Sequence, residues 1–195
     1  MRLHHLPSLF AVLVFAAAPA FAQTIVHNEA IDGELSDTGA SPTLINLVFG
    51  LNEIQGSLGP GGSGATNSTS DADFFTFNLA SGLEVSSITT TRSTPGQAFL
   101  GQVSGSTISS TTAAGLDGGV LFADGDEVFN LPGAQGQIQP ISGPLSGSQT
   151  FVIQETGGAT DFTISFNVTS SVPEPSSAAV VGGLALLGFV RRRKR

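Results

Sequence analysis

Two short acidic clusters are the residues whose types and spacing best suit chemistry. The first is Asp71 with Asp73, where a glycine-rich stretch ends, and the second is Asp124, Asp126 and Glu127 around a single glycine. Calcium takes six to eight oxygen ligands and can combine two or three carboxylates with loop carbonyls. These five acids are therefore candidate calcium ligands. Neither cluster has the spacing of an EF-hand loop, and Asp-Gly also marks ordinary hairpin turns, so solvated turn acids are the alternative.

Residues for covalent or acid-base catalysis are scarce. The chain has no cysteine, and His27 is the only histidine after residue 22. No Gly-x-Ser-x-Gly elbow offers a nucleophilic serine to that histidine. Paired carboxylates could flank a sugar, but glycan-cleaving and glycan-binding sites usually stack sugars on Trp or Tyr, and the chain has neither. We therefore predict a non-enzymatic protein that has no cofactor, with calcium as the one candidate ligand.

Charge excludes several classes of partner. Of the 15 acidic residues, all but Glu174 lie in residues 23–172, where Arg92 is the only basic residue and there is no lysine, so this part carries a formal charge of −13. A surface of this sign repels phosphate backbones and anionic lipid headgroups. Nucleic-acid binding, binding of the body to anionic membranes and lysine-based catalysis are therefore excluded.

Alternating apolar residues predict strands, and no long stretch has helical periodicity. In residues 73–79 and 161–169, phenylalanines and aliphatic residues occupy every second position, which places them on one face of a strand. Other predicted strands are residues 43–49, 53–58, 83–91, 97–103, 119–122, 127–131, 137–141 and 149–155. Short strands at this spacing are typical of one all-β domain, a β-sandwich or jelly-roll-like body over residues 23–168.

The N-terminus has the three parts of a secretory signal peptide. A basic start with Arg2 is followed by an apolar run over residues 9–18 and by Ala20-Phe21-Ala22, with small residues at the positions that a signal peptidase reads. We predict that residues 1–22 are removed on export.

The C-terminus carries a second targeting segment. A linker over residues 169–177 contains Val172-Pro173-Glu174-Pro175, and its two prolines hold the backbone extended so that an enzyme cleft can take it. Residues 178–190 are apolar or glycine and form a short predicted transmembrane helix. The basic tail that follows, predicted to stay cytoplasmic, is Arg191, Arg192, Arg193, Lys194 and Arg195.

This tripartite tail resembles the PEP-CTERM sorting signal of Gram-negative bacteria. The motif Pro173-Glu174-Pro175, the apolar helix and the terminal basic cluster match that signal in order and spacing within the last 23 residues. The resemblance implies an exosortase, a membrane-embedded cysteine protease-like enzyme, as the processing partner. It also implies export across the inner membrane, transient anchoring there, and a role in exopolysaccharide, biofilm or floc matrices.

A second resemblance concerns the body. Residues 52–58, 71–79, 81–82, 145–153 and 157–167 are similar to bacterial pre-peptidase C-terminal domains, which are secreted β-sandwiches without catalytic residues. The resemblance covers roughly residues 50–168, residues 104–143 depart from its pattern, and it supports the predicted fold. From the two targeting segments and the scarcity of catalytic residues we predict a non-enzymatic surface or matrix protein. A calcium-dependent module that binds extracellular polysaccharide is the alternative, and a secreted hydrolase of unusual type is the third hypothesis.

Overall fold

The computed structural model describes residues 23–59, 72–93, 97–155 and 159–171. Within these ranges the chain forms two β-sheets with almost no helix, which confirms the predicted all-β class. The strands are β1 (Thr24–Asn28), β2 (Thr43–Leu44), β3 (Gly50–Leu58), β4 (Ala72–Asn78), β5 (Leu83–Arg92), β6 (Ala98–Ser104), β7 (Gly118–Phe122), β8 (Ser148–Glu155) and β9 (Thr160–Ser170). The helical segments are a four-residue helix, α1 (Glu29–Asp32), and 3-10 turns at Ala113–Gly115, Val128–Asn130 and Ala134–Gly136.

The two sheets are mixed. The four-stranded sheet has the order β1-β3-β9-β5, and the five-stranded sheet has the order β2-β4-β8-β6-β7. Strand β1 runs parallel to β3 and β2 runs parallel to β4, while all the other paired strands are antiparallel. In the four-stranded sheet the register places Ile54 opposite Ile164 and Ile88 opposite Phe166, so buried apolar residues meet on the inner face.

Four phenylalanines join the two sheets at the centre of the core. Phe75, Phe77 and Phe151 belong to the five-stranded sheet, and the ring of Phe166 in β9 meets all three at centroid distances of 6.0, 5.5 and 5.6 Å. All four side chains are fully buried. The predicted inward faces of residues 73–79 and 161–169 are therefore confirmed, because alternation along a strand sends every second side chain to one face.

The outer faces of the two sheets differ. Phe74 and Val152, on the outer face of the five-stranded sheet, are covered by Ile108 from the segment between β6 and β7 and form a second small buried cluster. The outer face of the four-stranded sheet carries polar residues instead, among them Glu53, Ser165 and Asn167, which are half-buried. The other face of this sheet packs into the main core.

Several predicted strands were wrong. Of residues 43–49 only Thr43–Leu44 pair as a strand, and residues 127–131 form a 3-10 turn because Asn130 and Leu131 donate to oxygens three residues earlier. Residues 137–141 form one main-chain hydrogen bond with β7, from Gly119 N to Gln139 O. Pro140 has no N–H group and so cannot donate a hydrogen bond to a neighbouring strand. Strand β1, by contrast, was not predicted.

Candidate functional site

The acidic turn at residues 124–127 lies against the edge of β5. Alternate N–H groups of this strand donate to the turn, in the pairs Ile88 to Glu127 Oε1 (3.4 Å), Thr90 to the main-chain oxygen of Asp126 (3.0 Å) and Arg92 to Asp124 Oδ1 (3.0 Å). Asp126 Oδ2 also accepts the N–H of Ala123 at 2.6 Å. The turn therefore accepts hydrogen bonds from N–H groups that would have no partner at an unpaired sheet edge. Calcium binding here stays a prediction, and each of the three acids already has a structural partner.

A different set of acids meets inside the protein. Among the described residues, one carboxylate oxygen from each of Glu29, Glu34 and Asp73 lies within 4.8 Å of the other two. Glu29 and Asp73 are buried, with exposed fractions of 6% and 0%, and Glu34 is half-buried. Asp73 therefore joins a three-carboxylate group, whereas its predicted partner Asp71 lies outside the described residues.

Local structure fixes the position of Glu29. Asn28 caps α1 by accepting the N–H of Ala30 with its side chain, so that the chain turns sharply after β1 and directs Glu29 inward. The two carboxylate oxygens of Glu29 accept the N–H groups of Ser57 at 2.8 Å and Leu35 at 3.4 Å. These contacts hold the carboxylate between β3 and the segment that follows α1.

Gly56 makes room for this carboxylate. A Cβ at this position would lie 2.6 Å from Glu29 Cδ and 2.7 Å from Phe162 Cζ, closer than real Cβ contacts. A larger residue at position 56 would therefore displace either the acid or the core ring.

Three crowded carboxylates can act together as a ligand for a hard cation. Like charges this close repel unless a bound cation or shared protons neutralise them, and burial weakens screening by water. Carboxylate oxygens are ligands that suit a hard cation such as calcium, whereas nitrogen and sulfur ligands suit zinc and copper. No local pattern in the sequence indicates this group, since its members come from α1, from the segment after it and from β4.

His27, the histidine considered as a general base, lies in strand β1. It is 7% exposed, and none of the described residues forms a hydrogen bond with its Nε2. It stands opposite Ile54 in the parallel pairing of β1 with β3.

The predicted sorting residues lie just after the described part of the chain. Strand β9 ends at Ser170, and Ser171 N donates to Gly82 O at 2.9 Å, which ties the end of the body to the turn before β5. Val172, Pro173, Glu174, Pro175 and the basic residues 191–195 are outside the described residues, as are the predicted signal peptide and the predicted membrane helix. The chain thus enters the predicted sorting tail directly from a central strand of the four-stranded sheet.

Comparison with protein families identifies this tail. Residues 171–195 match the family model of the PEP-CTERM protein-sorting motif. The chain ends in a PEP-CTERM motif. The predicted sorting residues from Val172 to Arg195 all fall within the matched range, so the PEP-CTERM motif begins where β9 leaves the sheet.

Other comparisons identify no relative for the body. No curated protein and no solved structure matches the chain. The resemblance of residues 50–168 to pre-peptidase C-terminal domains accordingly stays a prediction. Among the described residues, no helix has the length and apolar character needed to cross a membrane.

Proposed function

We propose that this chain is an exported, non-enzymatic protein of the cell surface or extracellular matrix that an exosortase sorts through its PEP-CTERM motif. The observation that carries the proposal is the match of residues 171–195 to that motif. Such a motif implies export, transient anchoring in the membrane and processing by an exosortase. The host would then be a Gram-negative bacterium, and the mature body would reside in an exopolysaccharide or biofilm matrix.

The described body supports a binding or structural role. Its carboxylates at residues 124–127 accept backbone N–H groups at a sheet edge, and His27 is buried with no hydrogen bond from the described residues to its Nε2. The strongly acidic composition keeps such a domain soluble and limits self-association outside the cell. These features favour a stable folded body that is delivered by its tail.

Substitution of the sorting residues tests the proposal. In the native host, Pro173→Ala/Glu174→Ala/Pro175→Ala should leave full-length precursor in the inner membrane, because the extended recognition segment is lost while the apolar anchor remains. Ser176→Ala/Ser177→Ala is the control, which keeps the three-residue motif and should mature normally. Fractionation and mass spectrometry of both termini measure the result. Normal maturation of the triple variant would refute sorting by this motif.

The basic tail gives an independent test of the anchor. Replacing residues 191–195 with neutral residues should disturb membrane topology, because positive charges hold the cytoplasmic end of a short span in place. Protease accessibility of the body in spheroplasts reports the topology. An unchanged topology would show that the basic tail is not needed for anchoring.

The second candidate is a calcium-dependent module that binds extracellular polysaccharide. The three carboxylates of Glu29, Glu34 and Asp73 within 4.8 Å favour it, because a cation there would relieve their mutual repulsion. The group lies where α1 meets the start of β4, so a bound ion would tie the N-terminal segment to the five-stranded sheet.

Calcium titration at constant ionic strength tests this candidate. A free concentration 100 times the dissociation constant should stabilise the fold by about 2.7 kcal/mol. Glu34→Gln/Asp73→Asn should abolish that response, while Asp124→Asn/Asp126→Asn, which removes the same charge from the surface turn, should keep it. Equal melting curves of the unmodified protein with and without calcium would refute the candidate, and loss of the response only in the turn variant would move the site to residues 124–127.

A further inference from the structure

The sorting tail leaves the body at one end of the four-stranded sheet, which we call the tail end. In the register of this sheet, Val168 of β9 stands opposite Gly50, the first residue of β3. Ser170, the last residue of β9, stands opposite Leu83, the first residue of β5. The segment 45–49, which joins β2 to β3, therefore meets the sheet beside the point where β9 ends.

Two consecutive apolar side chains are exposed at the tail end. Val48 and Phe49, which directly precede β3, are each 47% exposed. Among the described residues, the other large apolar side chains that are exposed lie apart from one another in the chain, and they are Ile25, Ile31 and Leu44. Scattered exposed apolar residues are normal, whereas contiguous ones are typical of contact surfaces. The pair Val48 and Phe49 is therefore a candidate contact surface.

Asn52 holds the backbone of this apolar pair in place. Its side chain is fully buried, accepts the N–H of Val48 with Oδ1 at 2.7 Å and donates from Nδ2 to the oxygen of Val48 at 2.7 Å. The same Nδ2 donates to Gly50 O at 2.9 Å. Both polar backbone groups of Val48 are thus bonded within the protein while its side chain stays exposed. A loop that is already fixed loses little conformational entropy when it meets a second surface.

The acids of the body are unevenly distributed between its two ends. At the tail end, Glu84 stands opposite Thr169. Asp117 lies beside the corresponding end of the five-stranded sheet, where its Oδ2 accepts the N–H of Ser104 at 2.7 Å. Six acids lie at the opposite end, near the ends of β3 and β5 or beside one another, and they are Glu29, Glu34, Asp73, Asp124, Asp126 and Asp161. Charged side chains avoid the low-dielectric region of a bilayer, so the tail end is the end that can approach one.

The sorting tail keeps the tail end close to the membrane. Ser171 N donates to Gly82 O at 2.9 Å, and the predicted membrane helix begins at residue 178. The seven residues between these points reach at most about 25 Å, even fully extended. The headgroup region on one side of a bilayer is itself about 5 to 8 Å thick. The tail therefore gives the exposed apolar pair a high effective concentration at the bilayer surface.

We propose that Val48 and Phe49 insert into the boundary between headgroups and acyl chains of the membrane that anchors the precursor, so that the body rests on the bilayer by its tail end. The proposal rests on the transient anchoring proposed above. Burial of apolar side chains drives such interfacial contact, and its strength scales with the apolar area buried. The contact needs no anionic headgroup, which the acidic body would repel. Two half-exposed side chains bind weakly alone, so cleavage of the tail releases the body.

Fluorescence of the full chain, purified with its sorting tail and reconstituted into phosphatidylcholine vesicles, tests this contact. The chain has no Trp or Tyr, so Phe49→Trp supplies a single fluorophore at the tail end. We expect its emission to shift to shorter wavelength in vesicles and to be quenched by lipids brominated on their acyl chains, because an indole ring partitions to this boundary. Ile31→Trp is the matched control, since Ile31 is 81% exposed in α1 at the opposite end, and this variant should show neither effect.

A charge substitution in the Phe49→Trp background tests the apolar nature of the contact. Val48→Asp should lower the ratio of inserted to free body roughly tenfold or more, because it replaces an apolar side chain at the boundary by a charged one. The hydrogen bonds from Asn52 use only the backbone of Val48, so this variant keeps them. Ile31→Asp adds the same charge at the opposite end and should leave the quenching unchanged. The circular dichroism spectrum and melting curve of each variant verify its fold.

Flotation of the vesicles scores the anchor separately from the contact. Vesicle-bound Phe49→Trp protein that is not quenched, or is quenched no more than Ile31→Trp, would refute the contact and leave the anchor intact. Protein that does not float with the vesicles would refute the anchor and the contact together. Two further results would overturn the proposal by identifying another occupant. A shift that grows with protein concentration without lipid would indicate a second copy, and a shift that needs added exosortase would indicate the enzyme.

Discussion

Replacement of Phe166 by alanine tests whether one aromatic cluster holds the two sheets together. Phe166 is fully buried, and its ring makes edge contacts with three rings of the opposite sheet at 5.5 to 6.0 Å. Phenylalanine-to-alanine changes in cores cost about 3 to 5 kcal/mol. Aromatic pairs add stability beyond the buried area, so three such contacts place this residue near the upper value, about 5 kcal/mol. This loss is a large share of a typical stability of about 5 to 15 kcal/mol.

Urea unfolding followed by far-UV circular dichroism measures the loss, since the chain has no Trp or Tyr for intrinsic fluorescence. A domain of this size loses about 2 to 4 °C of melting temperature per kcal/mol, so Tm should fall by about 10 to 20 °C. Phe49→Ala is the matched control, because that ring is 47% exposed, and we expect it to cost only about 1 kcal/mol. A Phe166→Ala variant no less stable than Phe49→Ala would refute the argument that this cluster joins the sheets.

Two further substitutions test the surroundings of the candidate sites. Gly56→Ala should cost about 1 to 3 kcal/mol, because the new methyl group meets Glu29 and Phe162, and thermal melting should show the loss; an unchanged Tm would mean that the carboxylate moves aside freely. Asp126→Ala should cost about 1 to 2 kcal/mol, because Ala123 N loses its charged acceptor at 2.6 Å, and hydrogen exchange at the β5 edge should rise; unchanged exchange would show that the turn does not protect this edge.

Local patterns in the sequence were sufficient to predict the strands whose apolar side chains face the core. Residues 73–79 and 161–169 alternate apolar and polar side chains, and β4 (Ala72–Asn78) and β9 (Thr160–Ser170) bury the predicted phenylalanines. Prediction from the sequence failed where hydrogen-bond pairing with another segment, rather than the pattern of apolar residues, decides the local structure. Residues 127–131 look apolar enough for a strand, but local hydrogen bonds close a 3-10 turn, and β1 exists because β3 offers it a parallel partner.

The targeting tail could also be predicted from the sequence, because its parts follow one another in a fixed order within residues 171–195. The PEP-CTERM match at residues 171–195 includes Pro173-Glu174-Pro175 and the basic end, which lie close together in the chain. A motif of this kind is therefore recognisable without any knowledge of the fold.

The assembly of acids depended on tertiary structure. The sequence grouped Asp73 with Asp71 because they are neighbours in the chain, whereas folding brings Asp73 to Glu29 and Glu34. Sheet register likewise aligned Asn28, Gln55, Thr163 and Thr91 in one row, although they come from four separate strands. Charges and donors act over a few ångströms in space, and the distance between residues far apart in the chain is set only when the strands between them pair.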